Sequence, residues 1–552
     1  MIAALLLAGA ALASVAQRPS VETADERIAE RLRTRLEVAG SGGRGGGEGG
    51  ARLEAAGERI LESLLLGVFY VRRGYRPAWS DEAGPNRLAE ALVEALRRAD
   101  LEGLRPEDYH LTTIVTLLGA VRRDAAGGHL TDPDRSAELD LLLTDAFLLY
   151  GSHLLAGRVD PENLQPRWNA NPRGVDLAAI LEHALDSRNV VRALQRLAPT
   201  HEGYVRLRAG LAQAHAFAAA GGWEPLPPGA ALTKGDSGPP VAALRDRLRR
   251  GGDLDAGEGR EFDDAVQRAL REFQHRHGLE PDGILTPATR AELNVSAQAR
   301  VRQIELNLER WRWLPKELGR RRILVNIAAY ELEVVEDEEV VLAMRVVVGR
   351  RYRRTPVFSD TVRYLVLNPN WHVPRNIAVQ DLLPKIQRDP SYVQRYQMHV
   401  FDETGAEIDP AAVDWASQTP DSFPFRLTQK PGPLNALGRV KFMFPNRYDV
   451  YLHDTPSRDL FEETRRDFSS GCIRVEQPIE LAEYLLKKNR GWKRDAILRT
   501  LEQGTARTVP LERRMPIHLL YWTAWVNDDG AVQFRPDIHN LDPPLATALA
   551  AR

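Results

Sequence analysis

The stretch SSGCIRV, residues 469–475, contains Cys472, the only cysteine among the 552 residues of the chain. Ser469, Ser470 and Gly471 are small and polar, so backbone N–H groups can approach a ligand beside the thiol. A cysteine with a purely structural role is usually enclosed by apolar side chains, and that role is the alternative here. The composition of the stretch favours a nucleophile.

A second stretch, YDVYLHDT (residues 448–455), alternates like a β-strand and carries His453 near its end. A thiol of unperturbed pKa about 8.5 is mostly protonated at neutral pH, so it needs a base nearby. His453 can accept the proton and later return it to a leaving amine. Candidate donors to a developing oxyanion are the backbone N–H groups of Gly471 and Cys472 and the hydroxyl of Tyr451.

Two strings, YLHDTP (451–456) and SSGCIRV (469–475), resemble the active-site signature of the L,D-transpeptidases of bacterial cell walls. Longer stretches resemble the large periplasmic subtype, in which a helical scaffold domain and a peptidoglycan-binding module accompany the catalytic domain. These stretches are FYVRRGYRPAW (69–79), IELNLERWRWLP (304–315), VVVGRRYRRTPVFSD (346–360) and KPGPLNALGRVKFMFPN (430–446).

The resemblance implies a role for each residue of the signature. Cys472 is the nucleophile, His453 is the base, and the backbone carbonyl of Asp454 accepts the imidazole Nδ1–H and fixes its tautomer. Many family members carry a second histidine directly before the glycine, where this chain has Ser470, as the large subtype does. No metal or organic cofactor is implied.

Gly471, Tyr451 and Ser470, together with Arg474 and Trp371, form the predicted oxyanion and substrate-binding set. Arg474 would face a substrate carboxylate, and an ordinary ion pair with Asp or Glu is the alternative of equal weight. Trp371 would line the substrate cleft, and a core tryptophan at a strand end is at least as good an interpretation.

The fold class predicted for the chain is multidomain α+β. Helical periodicity precedes a Pro/Gly-rich boundary at residues 221–230, three short helices follow it, and strands dominate from about residue 321. The predicted parts are a signal peptide (1–16), a flexible glycine-rich tether (17–55), a helical scaffold domain (56–222), a peptidoglycan-binding module (232–295), a mainly β catalytic domain (300–508) with a capping insertion at about 374–441, and a C-terminal β-hairpin extension (509–552).

Composition excludes some partners. Lys plus Arg (74) nearly balances Asp plus Glu (76), so no basic field favours nucleic acid. The apolar run from Ile2 to Leu12 is too short to span a bilayer and is typical of a signal peptide. The most apolar later segment, residues 136–157, is interrupted by Asp140, Asp145 and His153, which predicts the central helix of a bundle. We expect an exported, periplasmic protein associated with the cell wall.

The resemblance implies that Cys472 attacks the carbonyl between diaminopimelate and the terminal D-Ala of a tetrapeptide stem, and that a diaminopimelate amine resolves the thioester. The implied partners are stem peptides and glycan strands, with other cell-wall synthases and carboxypeptidases. Two alternatives stay open: an L,D-carboxypeptidase or wall-protein-releasing hydrolase that uses the same thioester, and a non-catalytic wall-binding scaffold.

Overall fold

A computed structural model describes residues 23–41, 52–81, 84–126, 132–164, 174–255 and 259–551. The predicted signal peptide lies outside the described residues. Contacts between Cα atoms divide the chain into two compact units. The first holds residues 1–100, 105–152 and 175–197, and the second holds residues 101–104, 153–174 and 198–552.

The N-terminal half of the chain is helical, as its periodicity predicts. Its helices are α1 (Ala24–Ser41), α2 (Ser63–Arg72), α3 (Arg87–Arg97), α4 (Leu111–Ala126), α5 (Pro133–Ala156), α6 (Pro161–Leu164), α7 (Leu177–Asp186), α8 (Val190–Gln195) and α9 (Glu202–Ala219). Two short strand pairs accompany them: β1 (Glu54–Ala55) with β2 (Glu58–Arg59), and β3 (Ser80–Asp81) with β4 (Gly84–Pro85).

The prediction of a flexible tether over residues 17–55 is wrong for its described part. Residues 24–41 form α1, in which Ile28 and Leu32 are buried. Arg35 pairs with Glu138 of α5 at 3.0 Å. The i, i+4 spacing of the two apolar side chains gives this charged segment one face that can pack, so composition alone underestimated its order.

Helix α5 is the core helix of the first unit. By length and mean hydropathy it could cross a membrane, but 83% of its apolar window is buried inside the protein. Its buried Asp140 accepts hydrogen bonds from the N–H groups of Ala78 and Trp79 and from the Tyr70 hydroxyl. Burial raises the pKa of Asp140 to about 6. A satisfied carboxyl in the middle of the helix fits the predicted bundle core.

The predicted module of three short helices is present in the second unit. Helices α10 (Pro239–Arg250), α11 (Asp264–Arg276) and α12 (Pro287–Leu293) surround a small apolar core. Thr286 caps α12 by accepting the Thr289 N–H, and Pro287 occupies the first helical position, as the sequence predicts.

The remaining elements belong to the mainly β part and its extensions. The strands are β5 (Arg321–Asn326), β6 (Glu331–Glu336), β7 (Glu339–Val347), β8 (Phe358–Leu367), β9 (Trp371–His372), β10 (Met398–Phe401), β11 (Glu407–Ile408), β12 (Arg426–Gln429), β13 (Val440–Met443), β14 (Leu452–His453), β15 (Ile473–Val475), β16 (Arg507–Leu520), β17 (Ala524–Val526) and β18 (Val532–Phe534). The helices are α13 (Ala297–Arg312), α14 (Arg375–Ile377), α15 (Leu383–Arg388), α16 (Tyr392–Arg395), α17 (Pro478–Leu486), α18 (Arg494–Glu502) and α19 (Asp542–Ala550).

Eight of these strands close a barrel in the order β13-β14-β15-β7-β6-β5-β16-β8. The predicted hairpin around the acidic turn is β6–β7, with positive φ at Asp337 and Glu338. Strand β16 pairs with β5 in parallel and with β8 antiparallel. The predicted boundary at residue 508 is therefore wrong, because the barrel closes only with residues 507–520; the hairpin of the C-terminal extension is β17–β18.

The predicted capping insertion separates β8 from β13, which are neighbours in the barrel. It contains a sheet of its own, in the order β11-β10-β12-β9, and the helices α14, α15 and α16. Its side chains form a separate apolar core that includes Trp371, Ile386, Val400 and Phe423. We refer to residues 371–437 as the cap.

Candidate active site

The parallel pair β14–β15 brings the two signature strings together. Leu452 pairs with Ile473 and His453 pairs with Arg474. Leu452 and Ile473 are fully buried in the barrel core. Because side chains alternate along a strand, Tyr451, His453, Cys472 and Arg474 lie on the opposite, outward face. The residues predicted from the sequence therefore share one surface (Tyr451, His453, Cys472 and Arg474).

Cys472 is half-buried, and its Sγ lies 3.8 Å from the carbonyl oxygen of Asp449. Burial raises the pKa of the thiol, while hydrogen bonds from Tyr451 and the positive charge of Lys441 act in the opposite direction. Burial is the larger effect, so the resting group is a protonated thiol at neutral pH. Nucleophilic attack therefore requires a base.

His453 is neutral in these surroundings. Its Nδ1–H donates to the carbonyl oxygen of Asp454 at 2.5 Å, which leaves Nε2 as the acceptor. Burial, with the positive charges of Arg474 and Lys441 as smaller causes, lowers the pKa of His453 to about 3. The imidazole can thus accept a proton at neutral pH, and the contact with Asp454 is the one that the resemblance implies.

The loop before Cys472 is held by hydroxyl groups. Gly471 has φ of +118°, a conformation that residues with a side chain rarely adopt. Thr355 Oγ1 donates to the Gly471 carbonyl and accepts the Gly349 N–H, both at 2.9 Å. Ser469 Oγ donates to the Cys472 carbonyl at 2.5 Å and accepts the Gly471 N–H at 3.1 Å. The Gly471 N–H predicted as an oxyanion donor is therefore already occupied.

Ser470 connects this loop to the cap through an arginine. Arg353 Nη1 donates to Ser470 Oγ at 2.8 Å and also pairs with Asp381 of the cap. Arg353 Nη2 donates to Gln380 Oε1 at 2.6 Å. We call Arg353, Ser470, Gln380 and Asp381 the cap clasp. Sequence reasoning gave no role to Arg353, although it lies in one of the stretches that carry the resemblance.

Lys441 also lies beside the thiol and was missed by sequence reasoning. It pairs with His453 across β13 and β14, and its Nζ lies 3.8 Å from the centre of the Tyr451 ring. Burial lowers the pKa of Lys441, and the negative charge of an ionised Cys472 would raise it. Burial raises the pKa of Tyr451 well above its usual value, so its hydroxyl keeps its proton and can donate.

Arg474 is half-buried, and burial lowers its pKa, as does the nearby Arg350. Its Nε is buried without a hydrogen-bond partner. No acidic side chain is among the groups that shift the pKa of Arg474, which favours the substrate-carboxylate alternative, and that role stays a prediction. A buried guanidinium without an anion is stabilised when a carboxylate binds beside it.

Trp371 belongs to the core of the cap. It is 9% exposed, and it pairs with Gln429 on β12. These contacts favour the core interpretation, and a role in the substrate cleft stays a prediction. Tyr451 packs against both the barrel core and the cap core, so it joins the two on the active-site side.

No group of three or more His, Cys, Asp or Glu side chains that could hold a metal ion occurs among the residues that the structure describes.

Three stretches of the chain match family models. Residues 65–211 match a scaffold domain, residues 237–293 match a provisionally named peptidoglycan binding domain, and residues 320–500 match the L,D-transpeptidase catalytic domain. The chain therefore carries an L,D-transpeptidase catalytic domain with a scaffold domain and a peptidoglycan-binding domain, and the resemblance drawn from the sequence is confirmed.

A curated relative from Haemophilus influenzae, provisionally named an L,D-transpeptidase, is 37% identical over 246 residues. The alignment covers 45% of this chain and 49% of the relative, so this chain spans about half the length of the curated relative that it matches.

Two similar solved structures are L,D-transpeptidases. The one from Xylanimonas cellulosilytica is 17% identical, covers 54% of this chain and 100% of its own, and has a TM-score of 0.17. The one from Stackebrandtia nassauensis is 11% identical, covers 52% of this chain and 94% of its own, and has a TM-score of 0.21.

Proposed function

We propose that the protein is a cell-wall L,D-transpeptidase that joins two diaminopimelate residues through a thioester on Cys472. The observation that carries the proposal is the outward face of β14–β15, where the paired strands place a protonated thiol and a neutral imidazole on one surface within a matched catalytic domain.

The first half-reaction is acylation. Cys472 Sγ attacks the carbonyl carbon between diaminopimelate and the terminal D-Ala, and the thiol proton passes to His453 Nε2. The oxyanion accepts hydrogen bonds from the Cys472 N–H and the Tyr451 hydroxyl. The C–N bond then breaks, His453 returns the proton to the leaving amine of D-Ala, and the acyl group remains on sulfur.

The second half-reaction resolves the thioester. The side-chain amine of diaminopimelate on a neighbouring stem attacks the thioester carbonyl, and His453 accepts a proton from that amine. The C–S bond breaks, and the proton returns to the sulfur of Cys472. The products are the free enzyme and an amide between two diaminopimelates.

Arg474 is proposed to bind the carboxylate of the terminal D-Ala. Its guanidinium is half-buried beside the thiol, and burial lowers its pKa, so an anion at this place relieves the cost of holding the charge away from water. The planar group can bind both oxygens of a carboxylate at once. This contact would orient the scissile carbonyl toward Cys472.

The wall is also the proposed location and partner of the protein. Residues 237–293 match a peptidoglycan binding domain, and we propose that this module holds the enzyme on the polymer while the barrel acts on stem peptides. Export through the predicted signal peptide, and cooperation with the synthases and carboxypeptidases that supply tetrapeptide stems, belong to the same proposal.

Intact-protein mass spectrometry tests the nucleophile. Wild type and Cys472→Ala are incubated with purified disaccharide-tetrapeptides, and separately with a carbapenem. We expect an acyl adduct on wild type only, together with cross-linked dimers and free D-Ala among the products.

Other outcomes distinguish the alternatives. Shortened monomers with an adduct on Cys472 would indicate hydrolysis by an L,D-carboxypeptidase. If wild type forms no adduct, and both proteins sediment equally with purified sacculi, the protein is a non-catalytic wall-binding scaffold.

A further inference from the structure

A cleft of about 870 Å³ lies within the second unit, and Tyr451, His453, Cys472 and Arg474 are not among its lining residues. Its walls come from the outer face of β5 and β6, the start of α9, the β17–β18 hairpin, and His275 of the three-helix module. This volume falls in the range of sites that bind small ligands or polymer segments. Nothing in the proposed transpeptidase mechanism uses this cleft.

Two carboxylates line the barrel side of the cleft. Glu331 and Glu333 alternate along β6 with the buried Leu332 and Val334, so both face outward. Neither forms an ion pair with any residue in the described ranges. Burial raises the pKa of Glu333, and the negative charges of Glu331 and Asp528 add to the effect. These oxygens are available as hydrogen-bond acceptors.

Indole rings form a second part of the lining. Trp311 and Trp522 stack with their ring centres 4.3 Å apart. Trp311 is 5% exposed, and its Nε1–H is buried with no hydrogen-bond partner. A Cβ at Gly203 would come within 2.5 Å of the Trp311 ring, so the backbone of α9 holds this ring in place. The stacked rings give this side of the cleft an aromatic lining.

The cleft is lined by side chains of both charges, so no field of one sign favours a strongly charged ligand. Some of its basic groups are paired: Arg206 with Asp528, and Arg322 with Glu338 at 2.7 Å. Lys316 also lines the cleft and adds a positive charge there. Arg535 lies 4.7 Å over the ring of Trp525, where a second cation would be repelled. An anion would be repelled by Glu331 and Glu333. The ligand that fits is therefore neutral, with hydroxyl groups to donate and oxygens to accept.

We propose that this cleft binds the glycan backbone of the cell wall, while the stem peptides are handled at Cys472. Sugar hydroxyls donate to Glu331 and Glu333, and the Trp525 ring packs on a sugar face. The inference rests on the proposed function, because it takes the polymer from the proposed substrate. It adds a second site for that polymer on the barrel.

The test measures binding of peptide-free glycan strands, prepared from sacculi with an amidase, to the full-length protein by isothermal titration calorimetry. We expect Trp525→Ala and Glu333→Gln each to weaken binding at least tenfold. Glu339→Gln, at an exposed position on β7 outside the cleft, is the matched control and should bind like wild type. Thermal unfolding of each variant excludes loss of folding as the cause.

Equal affinity of wild type and both cleft variants would overturn the proposal, as would absence of binding to wild type. Competition by a sugar-free tetrapeptide would also overturn it, because the cleft would then bind peptide. Acylation of Cys472 by a carbapenem is measured on the same proteins and should be unchanged in the cleft variants. If wild type binds glycan strands but is not acylated by the carbapenem, the transpeptidase proposal is wrong and the glycan-binding proposal for the cleft stands.

Discussion

At His453, burial and two neighbouring cations act on the imidazole in the same direction. Burial is the larger effect, and Arg474 and Lys441 add to it, so the pKa falls to about 3. The Cys472 thiol is also neutral, because burial raises its pKa. The resting pair is thus thiol and imidazole, in contrast to the thiolate–imidazolium pair of many cysteine enzymes.

This charge state predicts the pH dependence of acylation. The rate at which a carbapenem acylates Cys472 should show no inflection near pH 6.5, because His453 is already neutral there and loses its basic form only as the pH falls toward 3. An NMR titration of His453 in Cys472→Ala measures the pKa directly. Arg474→Gln removes a positive neighbour and should raise that pKa. A native His453 that titrates near 6.5 would contradict the neutral pair.

Gly471 gives a second prediction at the scale of one residue. At φ of +118° an alanine is strained, whereas its Cβ would find ordinary contacts, the nearest being 3.6 Å from the Arg354 carbonyl. Gly471→Ala should therefore lower the free energy of unfolding by about 1–2 kcal/mol and slow acylation, because the loop must shift. Gly432→Ala, at a glycine without positive φ, should change neither quantity in urea unfolding and adduct formation.

Among individual residues, the sequence predicted those with a recognisable chemical type and missed those that act through position. Cys472, His453, Tyr451 and Arg474 follow from the signature and from alternation along the strands. Lys441 is a common residue in a strand, and only the pairing of β13 with β14 brings it beside His453. Single-sequence reasoning cannot obtain that register because β14 has only two residues and the connection over residues 444–451 is longer than the short turns that fix a hairpin register.

At the scale of elements, the short parallel pair that carries the site depends on the loop around Thr355. Thr355 is buried and satisfies two backbone groups, the Gly349 N–H and the Gly471 carbonyl. Thr355→Val keeps the shape and leaves both groups unpaired, which should lower the free energy of unfolding by about 1–3 kcal/mol. Thr547→Val, on the exposed side of α19, should be nearly neutral in the same urea titration. Equal losses in the two variants would contradict this role.

The cap clasp predicts a separable effect on substrate binding. Asp381→Asn weakens the ion pair with Arg353 and should loosen the cap from the loop of Cys472. We expect KM for a disaccharide-tetrapeptide to rise severalfold, while acylation by the much smaller carbapenem changes little. Asp389→Asn, whose ion pair with Arg395 lies inside the cap, is the control. If both variants change KM equally, the cap clasp has no specific role in substrate binding.

The sequence predicted local elements well, but it did not predict boundaries that depend on pairing between strands far apart in the chain. The β6–β7 hairpin and the Thr286 cap depend on neighbouring residues, and both are present. The end of the barrel depends on β16 pairing with β5, nearly 200 residues earlier, so no local signal could place it. Helix α1 was missed because its charged composition concealed two apolar positions on one face.

At the scale of the whole molecule, buried neutral histidines make stability depend on pH. Burial lowers the pKa of His518 to about 4 and that of His277 well below its usual value. Because the folded pKa is lower than the unfolded value near 6.5, this stability is fully present above pH 6.5 and is lost as the pH falls toward the folded pKa.

For His518 the loss should reach about 3 kcal/mol between pH 6.5 and pH 4. Urea unfolding as a function of pH measures it. In this range, His518→Gln should reduce the pH dependence of the free energy of unfolding by the amount that corresponds to one bound proton. The substitution also lowers stability at neutral pH, because it removes hydrogen bonds to Ser359 and Leu318. An unchanged slope would show that His518 is protonated in the folded protein.

The position of β16 in the barrel has a consequence for how the protein is made. Strands β5 and β8 gain their common neighbour only when residues 507–520 are available, and these residues follow the cysteine loop in the chain. Contacts this far apart in sequence form slowly. During biosynthesis the Cys472 thiol is therefore exposed to solvent first, while the barrel is incomplete. It becomes half-buried only when the last barrel strand has paired.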